Sequence, residues 1–124
     1  SFRVENRASF LYAQNLTLDE PLPLIPPLQG TAVLSYSPGN HLFSLHTDWA
    51  SAQNRIAAIS SIEDKTKGYI TFGASYERSW LQDKLTTSLE IDNLTDQYYH
   101  THTSLGNIPE SGFSLMLSAR YRIR

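Results

Sequence analysis

Apolar and polar residues alternate with a period of two in several separate windows, and that period, rather than the 3.6 of a helix, marks strands with two unlike faces. Phe2, Val4, Ala8, Phe10 and Tyr12 alternate with Arg3, Glu5, Arg7 and Ser9, and Phe43, Leu45, Thr47 and Trp49 with Ser44, His46 and Asp48. Ile70, Phe72, Ala74 and Tyr76 alternate with Thr71, Gly73, Ser75 and Glu77, and Leu85, Leu89 and Ile91 with Thr86, Ser88, Glu90 and Asp92. In the last window Phe113, Leu115, Leu117, Ala119, Tyr121 and Ile123 face one way and Ser114, Met116, Ser118, Arg120, Arg122 and Arg124 the other. A weaker strand over 31–36 brings the expected number to six, an all-β antiparallel up-and-down meander.

The connections expected between these strands alternate in length. Ser37, Pro38, Gly39 and Asn40 form a tight turn by their chemistry, and 79–83 is a second short link. The stretches 15–29, 53–67 and 96–112 are longer than hairpins need. Long loops at one end and short turns at the other fit a transmembrane β-barrel, of which this meander would be a part; a sandwich has no reason to sort its loops by side. The polar faces carry too many charges for a dry core. Tyr36, Phe43, Trp49, Tyr69, Tyr76, Trp80, Tyr98 and Tyr121 fall mostly near strand ends, as interfacial aromatic girdles require. A soluble all-β ligand-binding module, with its polar faces in water, is the competing reading.

Composition narrows the choice. With 124 residues, 40% of them hydrophobic, and a net charge of -2, the chain is one small folded unit without the basic surface of a nucleic-acid binder. It has no cysteine, hence no disulfide, thiolate metal site or cysteine nucleophile. No apolar run reaches the length of a transmembrane helix, a limit that leaves transmembrane strands untouched. The start, without initiator methionine or signal peptide, reads as a mature segment or a fragment.

Two segments carry a family resemblance. The first is EPLPLIPPLQG at 20–30, followed by the strand ending at Tyr36; the second is LEIDNLTDQYY at 89–99, then a His-containing loop, then IPESGF at 108–113 opening the last alternating strand. In this order they resemble the C-terminal end of a TonB-dependent outer-membrane receptor, where similar loops read LPLIPPL-(R/Q)-G, V-D-N-L-F-(D/N)-K-x-Y-Y and I-P-E-P-G-R-(N/S)-F. Thr95 stands where the family has an aromatic residue and Ser111 where it has a second proline. The resemblance implies that residues 1–124 are the C-terminal part of such a barrel, with the plug and earlier strands outside this sequence. It further implies a bacterial outer-membrane location, uptake of a scarce ligand (a metal, a metal chelate or siderophore, or similar) energised by TonB through the plug, lipid around the wall, and neither enzymatic activity nor a resident cofactor. In physical terms, the prolines of the first segment stiffen an exposed loop, while Asn93 and Asp96 can bond their own backbone where the strand must end.

The candidate ligand-contacting residues are Tyr98, Tyr99, His100 and His102. If their loop is extended, His100 and His102 share a face and can jointly hold Zn or Cu, since imidazole is a borderline ligand suited to both. A solvated loop with two histidines is the plainer alternative. His46 and Asp48 could be mistaken for part of a hydrolytic triad, but no nucleophile elbow accompanies them, so a hydrogen-bonding or ion-pair role on the polar face is expected. Glu90 and Asp92 are expected to pair across strands with Arg120 and Arg122. Asn15 and Asn93 begin chance glycosylation sequons.

Overall fold

The computed structural model describes residues 1–124 apart from Ser60, Ile62, Leu105 and Arg124. Strands β1 (Phe2–Ser9), β4 (Gln29–Tyr36), β5 (His41–Ala50), β6 (Tyr69–Trp80), β7 (Leu85–Asp92) and β8 (Ser114–Tyr121) form one six-stranded antiparallel sheet in that order, each strand beside the next in sequence. The sheet is open, with β1 and β8 as its edges. A two-residue hairpin, β2 (Gln14–Asn15) with β3 (Glu20–Pro21), sits in the first long connection. The six expected strands are therefore present, as an all-β up-and-down meander; Arg124, placed on the polar face by the alternation, lies outside the described residues.

Register converts the alternation into two faces. Phe2, Tyr36, Phe43, Tyr76, Leu89 and Leu117 are successive partners across the sheet, and Val4, Leu34, Leu45, Ala74, Ile91 and Leu115 make the next row on the same face. Rings stack along the first row, Phe2 on Tyr36 at 4.4 Å and Phe43 on Tyr76 at 4.8 Å. The other face carries Arg3, Ser35, Ser44, Ser75, Glu90 and Met116 in one row. No second layer covers either face. Leu45 is 57% exposed and Leu117 74%, whereas the buried apolar residues among those described are few: Ile25, Ala50 and Ala57, at the long-loop end of the molecule.

Some sequence expectations move. Phe10 and Tyr12 fall beyond β1, which ends at Ser9 where its partner strand begins at Gln29, just past Leu28 and the prolines Pro26 and Pro27, which have no N–H for a ladder. The second short link is shifted: β6 continues to Trp80, and the turn is made by Leu81, Gln82 and Asp83, all at positive φ, with the Lys84 amide donating to the Leu81 carbonyl at 3.3 Å. Tyr69 joins the polar face, where its ring meets Tyr99 at 4.3 Å, and Tyr98 lies in a loop, so neither belongs to an aromatic girdle.

The charge pairing expected between β7 and β8 is also absent. Glu90 faces Met116, Asp92 faces Ser114 and Arg120 faces Thr86. Arg120 thus stands four residues along β8 from the partner of Glu90, about 13 Å at the rise of a strand. Asp92 pairs instead with His46, whose Nε2 lies 3.1 Å from Asp92 Oδ1 across the intervening strand β6. That reach needs Gly73, the cross-strand partner of His46: a Cβ there would lie 2.1 Å from His46 Nε2. Gly30 does the same on the apolar face, where a Cβ would lie 2.7 Å from the Trp49 ring. Gly73→Val is expected to expel His46, separate it from Asp92, and lower stability by about 1–3 kcal/mol through overpacking, measured as a fall in the urea midpoint of the full-length protein.

Candidate functional site

All three long connections, 10–28, 51–68 and 93–113, leave the sheet at the edge marked by Ser9, Gln29, Ala50, Tyr69, Asp92 and Ser114, so the meander collects them at one end. There they form a cap with its own interior. Glu63 holds it together: its Oε1 accepts the Leu24 amide at 2.8 Å and His102 Nε2–H at 2.6 Å, and its Oε2 accepts the Ala57 amide at 2.8 Å. One carboxylate therefore ties the first, second and third loops. The pair is dry, with side-chain exposures of 2% for Glu63 and 1% for His102. Burial alone would push the Glu63 carboxyl up, but the amides of Ala57 and Leu24 and the His102 ring together hold it below its ordinary value of 4.5.

Further bonds join the same loops. Glu20 Oε2 accepts the Ile59 amide at 2.8 Å, Gln53 Nε2 donates to the Ile25 carbonyl at 2.9 Å, and Arg55 donates to Gln14 at 2.8 Å while lying 4.0 Å over the Tyr12 ring. In the third loop Asn93, at positive φ, ends β7: its Oδ1 accepts the Gln97 amide and its Nδ2 donates to the Gln97 and Ser111 carbonyls. Asp96 Oδ1 accepts the Phe113 amide at 2.8 Å, closing the loop where β8 starts. Asn93 thus bonds nearby backbone as expected, whereas the Asp96 side chain bonds across the loop to the start of β8 rather than to its own neighbours. Asn93, 6% exposed and fully bonded, is sterically shut off as a modification site.

The four candidate residues separate. His102 is inside the cap, with Nε2 on Glu63 and Nδ1 3.0 Å from Thr66 Oγ1, so both ring nitrogens are engaged. His100 is near the surface, edge-on to Tyr98 at 5.1 Å. The extended loop needed for a shared His100–His102 metal face does not form: the chain turns at 102–103 and directs His102 into the cap. Among the described residues no group of three or more His, Asp and Glu could hold a metal ion. Tyr98 and His100 instead line a cleft of about 370 Å³ with Lys65, Lys67 and Tyr99. Tyr99 also reaches a second cleft, about 290 Å³, on the polar face of the sheet beside His46, Asp48, Asp92 and Glu110. Burial, then the carboxylates of Glu110, Asp48 and Asp92, push its phenol above 10, so it remains protonated at neutral pH.

Nothing in the sequence marked Glu63. It lies in the polar run Ser61, Glu63, Asp64, Lys65, which reads as a solvated loop, and only the folding of its neighbours over it makes it a buried anchor.

No protein-family model matches the chain, and no curated protein matches it. Among solved structures it is similar to the copper transporter OprC, with a TM-score of 0.90 and 22% sequence identity over 97% of this chain. The matched part is 21% of that transporter's length. At that identity the likeness establishes the fold, a six-stranded meander with this loop arrangement, as one found within a larger protein.

Because the Glu63 carboxyl lies below its unfolded value, the stabilisation it supplies is complete above the ordinary carboxylate range and is lost as pH falls through its lowered value. Amide hydrogen exchange at Leu24 and Ala57 is therefore expected to accelerate on acidification below that range. Glu63→Ala should remove the protection at all pH values, leave the strand amides of β5 and β6 unchanged, and cost the cap about 1–3 kcal/mol for each buried donor left without its acceptor.

Proposed function

We propose that the chain forms part of the wall and external loops of an outer-membrane β-barrel that imports a metal or a metal chelate. The observation that carries this reading is the exposed apolar face of a one-layer sheet. A soluble module would have to bury Phe2, Leu34, Leu45 and Leu117, and the fold provides nothing to cover them. Lipid is the solvent that fits. Along β6 the face runs from Ile70 to Trp80, about 33 Å of strand and about 25 Å of membrane at the tilt of a barrel strand. Trp80, Leu85 and Tyr121 mark its short-turn rim, and Trp49 and Ile70 its long-loop rim. The opposite face, with Arg7, Asp48, Glu77 and Glu90, then lines a wet interior.

Metal transport is supported by the name of the structural neighbour, a copper transporter, whose fold the chain shares over 97% of its own length. Coupling to TonB is supported by the motifs at 20–30, 89–99 and 108–113, and belongs to parts of the protein outside these residues. In this role Tyr98, Tyr99 and His100 contact ligand at the mouth of the loop cleft, His102 holds the loop in place from within the cap, and the chain takes no catalytic part.

The full-length product is expected in the outer membrane, with copper or iron-chelate uptake that stops when the proton gradient is collapsed; a soluble product would contradict the reading. Leu117→Arg should cost about 2–4 kcal/mol, as cations do on the lipid face, and reduce barrel assembly. Ser118→Arg, one residue on and facing inward, should stay within about 0.5 kcal/mol of the parent, as surface changes do.

A further inference from the structure

Apart from the uncharged Asn6 and Thr47 toward the long-loop end, the apolar face has one polar interruption among the described residues. In the row formed by His41, Arg78, Thr87 and Ala119, between the aromatic row at Tyr76 and the rim row at Trp80, two side chains carry polar nitrogen. Arg78 has no carboxylate partner among the described residues. Its guanidinium lies 3.6 Å over the Trp80 ring, so the side chain bends toward the short-turn rim, as a cation does when drawn to an interface. The Trp80 indole is fixed beneath it by donating to Thr87 Oγ1 at 3.0 Å. His41 is the cross-strand partner of Arg78, and its Nδ1 lies 2.8 Å from the Tyr76 hydroxyl. With that hydroxyl donating to Nδ1, the Nε2–H is left to point outward. Thr87 and Ala119 are small beside their same-face neighbours Leu85, Leu89, Leu117 and Tyr121, so the row next to the two donors carries short side chains.

We propose that His41, Arg78 and Trp80 form a binding site for the phosphate of an anionic phospholipid headgroup in the membrane leaflet at the short-turn end, a site that rests on the membrane reading above. A guanidinium without a carboxylate partner among the described residues, on a strand face with no other permanently charged side chain, calls for an anion, and in a lipid-facing position the abundant anion is a headgroup phosphate at the depth of the aromatic rim. The guanidinium supplies a charge-assisted pair of donors, the imidazole a third, and the indole keeps the guanidinium plane facing outward. The acyl chains then lie along the row of Tyr76, Leu89 and Leu117.

Native mass spectrometry of the full-length, delipidated protein, titrated with phosphatidylglycerol or phosphatidylcholine, tests the site. One phosphatidylglycerol per chain should be retained in preference to phosphatidylcholine, and Arg78→Gln and His41→Gln should each weaken that binding, the arginine change by about tenfold, with Arg78→Lys recovering part of it. Heat-modifiable migration of each variant shows that its barrel is folded. Equal retention of the two lipids, or unchanged binding in both folded variants, overturns the site. So does complete displacement of the lipid by inorganic phosphate at matched concentration, which would make free phosphate the occupant. A product found outside the membrane would overturn the membrane reading itself, whereas a membrane product without lipid preference overturns this site alone.

Discussion

The sheet has only one layer, and every other feature follows from that. A sheet buried on one side reads as alternating apolar and polar residues because one face meets a core and the other meets water. Here the alternation is present and the core is missing. On the proposed membrane reading, the apolar rows through Phe43 and Leu45 and the polar rows through Ser44 and His46 meet two different solvents. Hydrocarbon on one side and water on the other satisfy both at once. That reading also accounts for the continuous ladder from β1 to β8, and it calls for strands to pair with those two edges, since an unpaired edge in lipid leaves polar groups without partners.

With one layer of sheet, the chain keeps most of its buried interior in the loops. Glu63, His102, Glu20 and Gln53 occupy the place that Leu and Ile hold in a soluble domain, and they work by saturating one another's hydrogen bonds. A polar interior of this kind is directional, so it sets the loops in one arrangement, which non-directional apolar contact would not do. Tyr98, Tyr99 and His100 thus line a cleft carried on a braced support, and under the proposed function a ligand need not first order them. His46, Gly73 and Asp92 repeat the principle within the wall, where a missing side chain lets one strand bond to the next but one.

The strands were legible because period two is a local property, and Leu115, Leu117 and Ala119 declare it without reference to anything distant. Strand ends were less so: β1 stops where β4 runs out, a fact that belongs to the partner. Asn93, whose cap is local, behaved as its chemistry indicates. Residues whose role depends on long-range neighbours did not. His102 read as a ligand and is an internal strut, Glu90 and Arg120 read as a pair and are offset by register, and Glu63 gave no signal at all. An alternating pattern gives the face of a side chain but not its position along the neighbouring strand, and loop-to-loop contacts have no period to read.

The central claim is that the two faces of this sheet meet different solvents. The segment contains no cysteine, so spin labels can be placed one at a time along β8, at positions 115 to 118, in the full-length protein reconstituted in lipid bilayers. Labels at Leu115 and Leu117 are expected to be accessible to dissolved oxygen and shielded from an aqueous nickel complex, and labels at Met116 and Ser118 to show the reverse. Uniform exposure to the aqueous reagent at all four positions, or protection of all four from both reagents, would contradict the account.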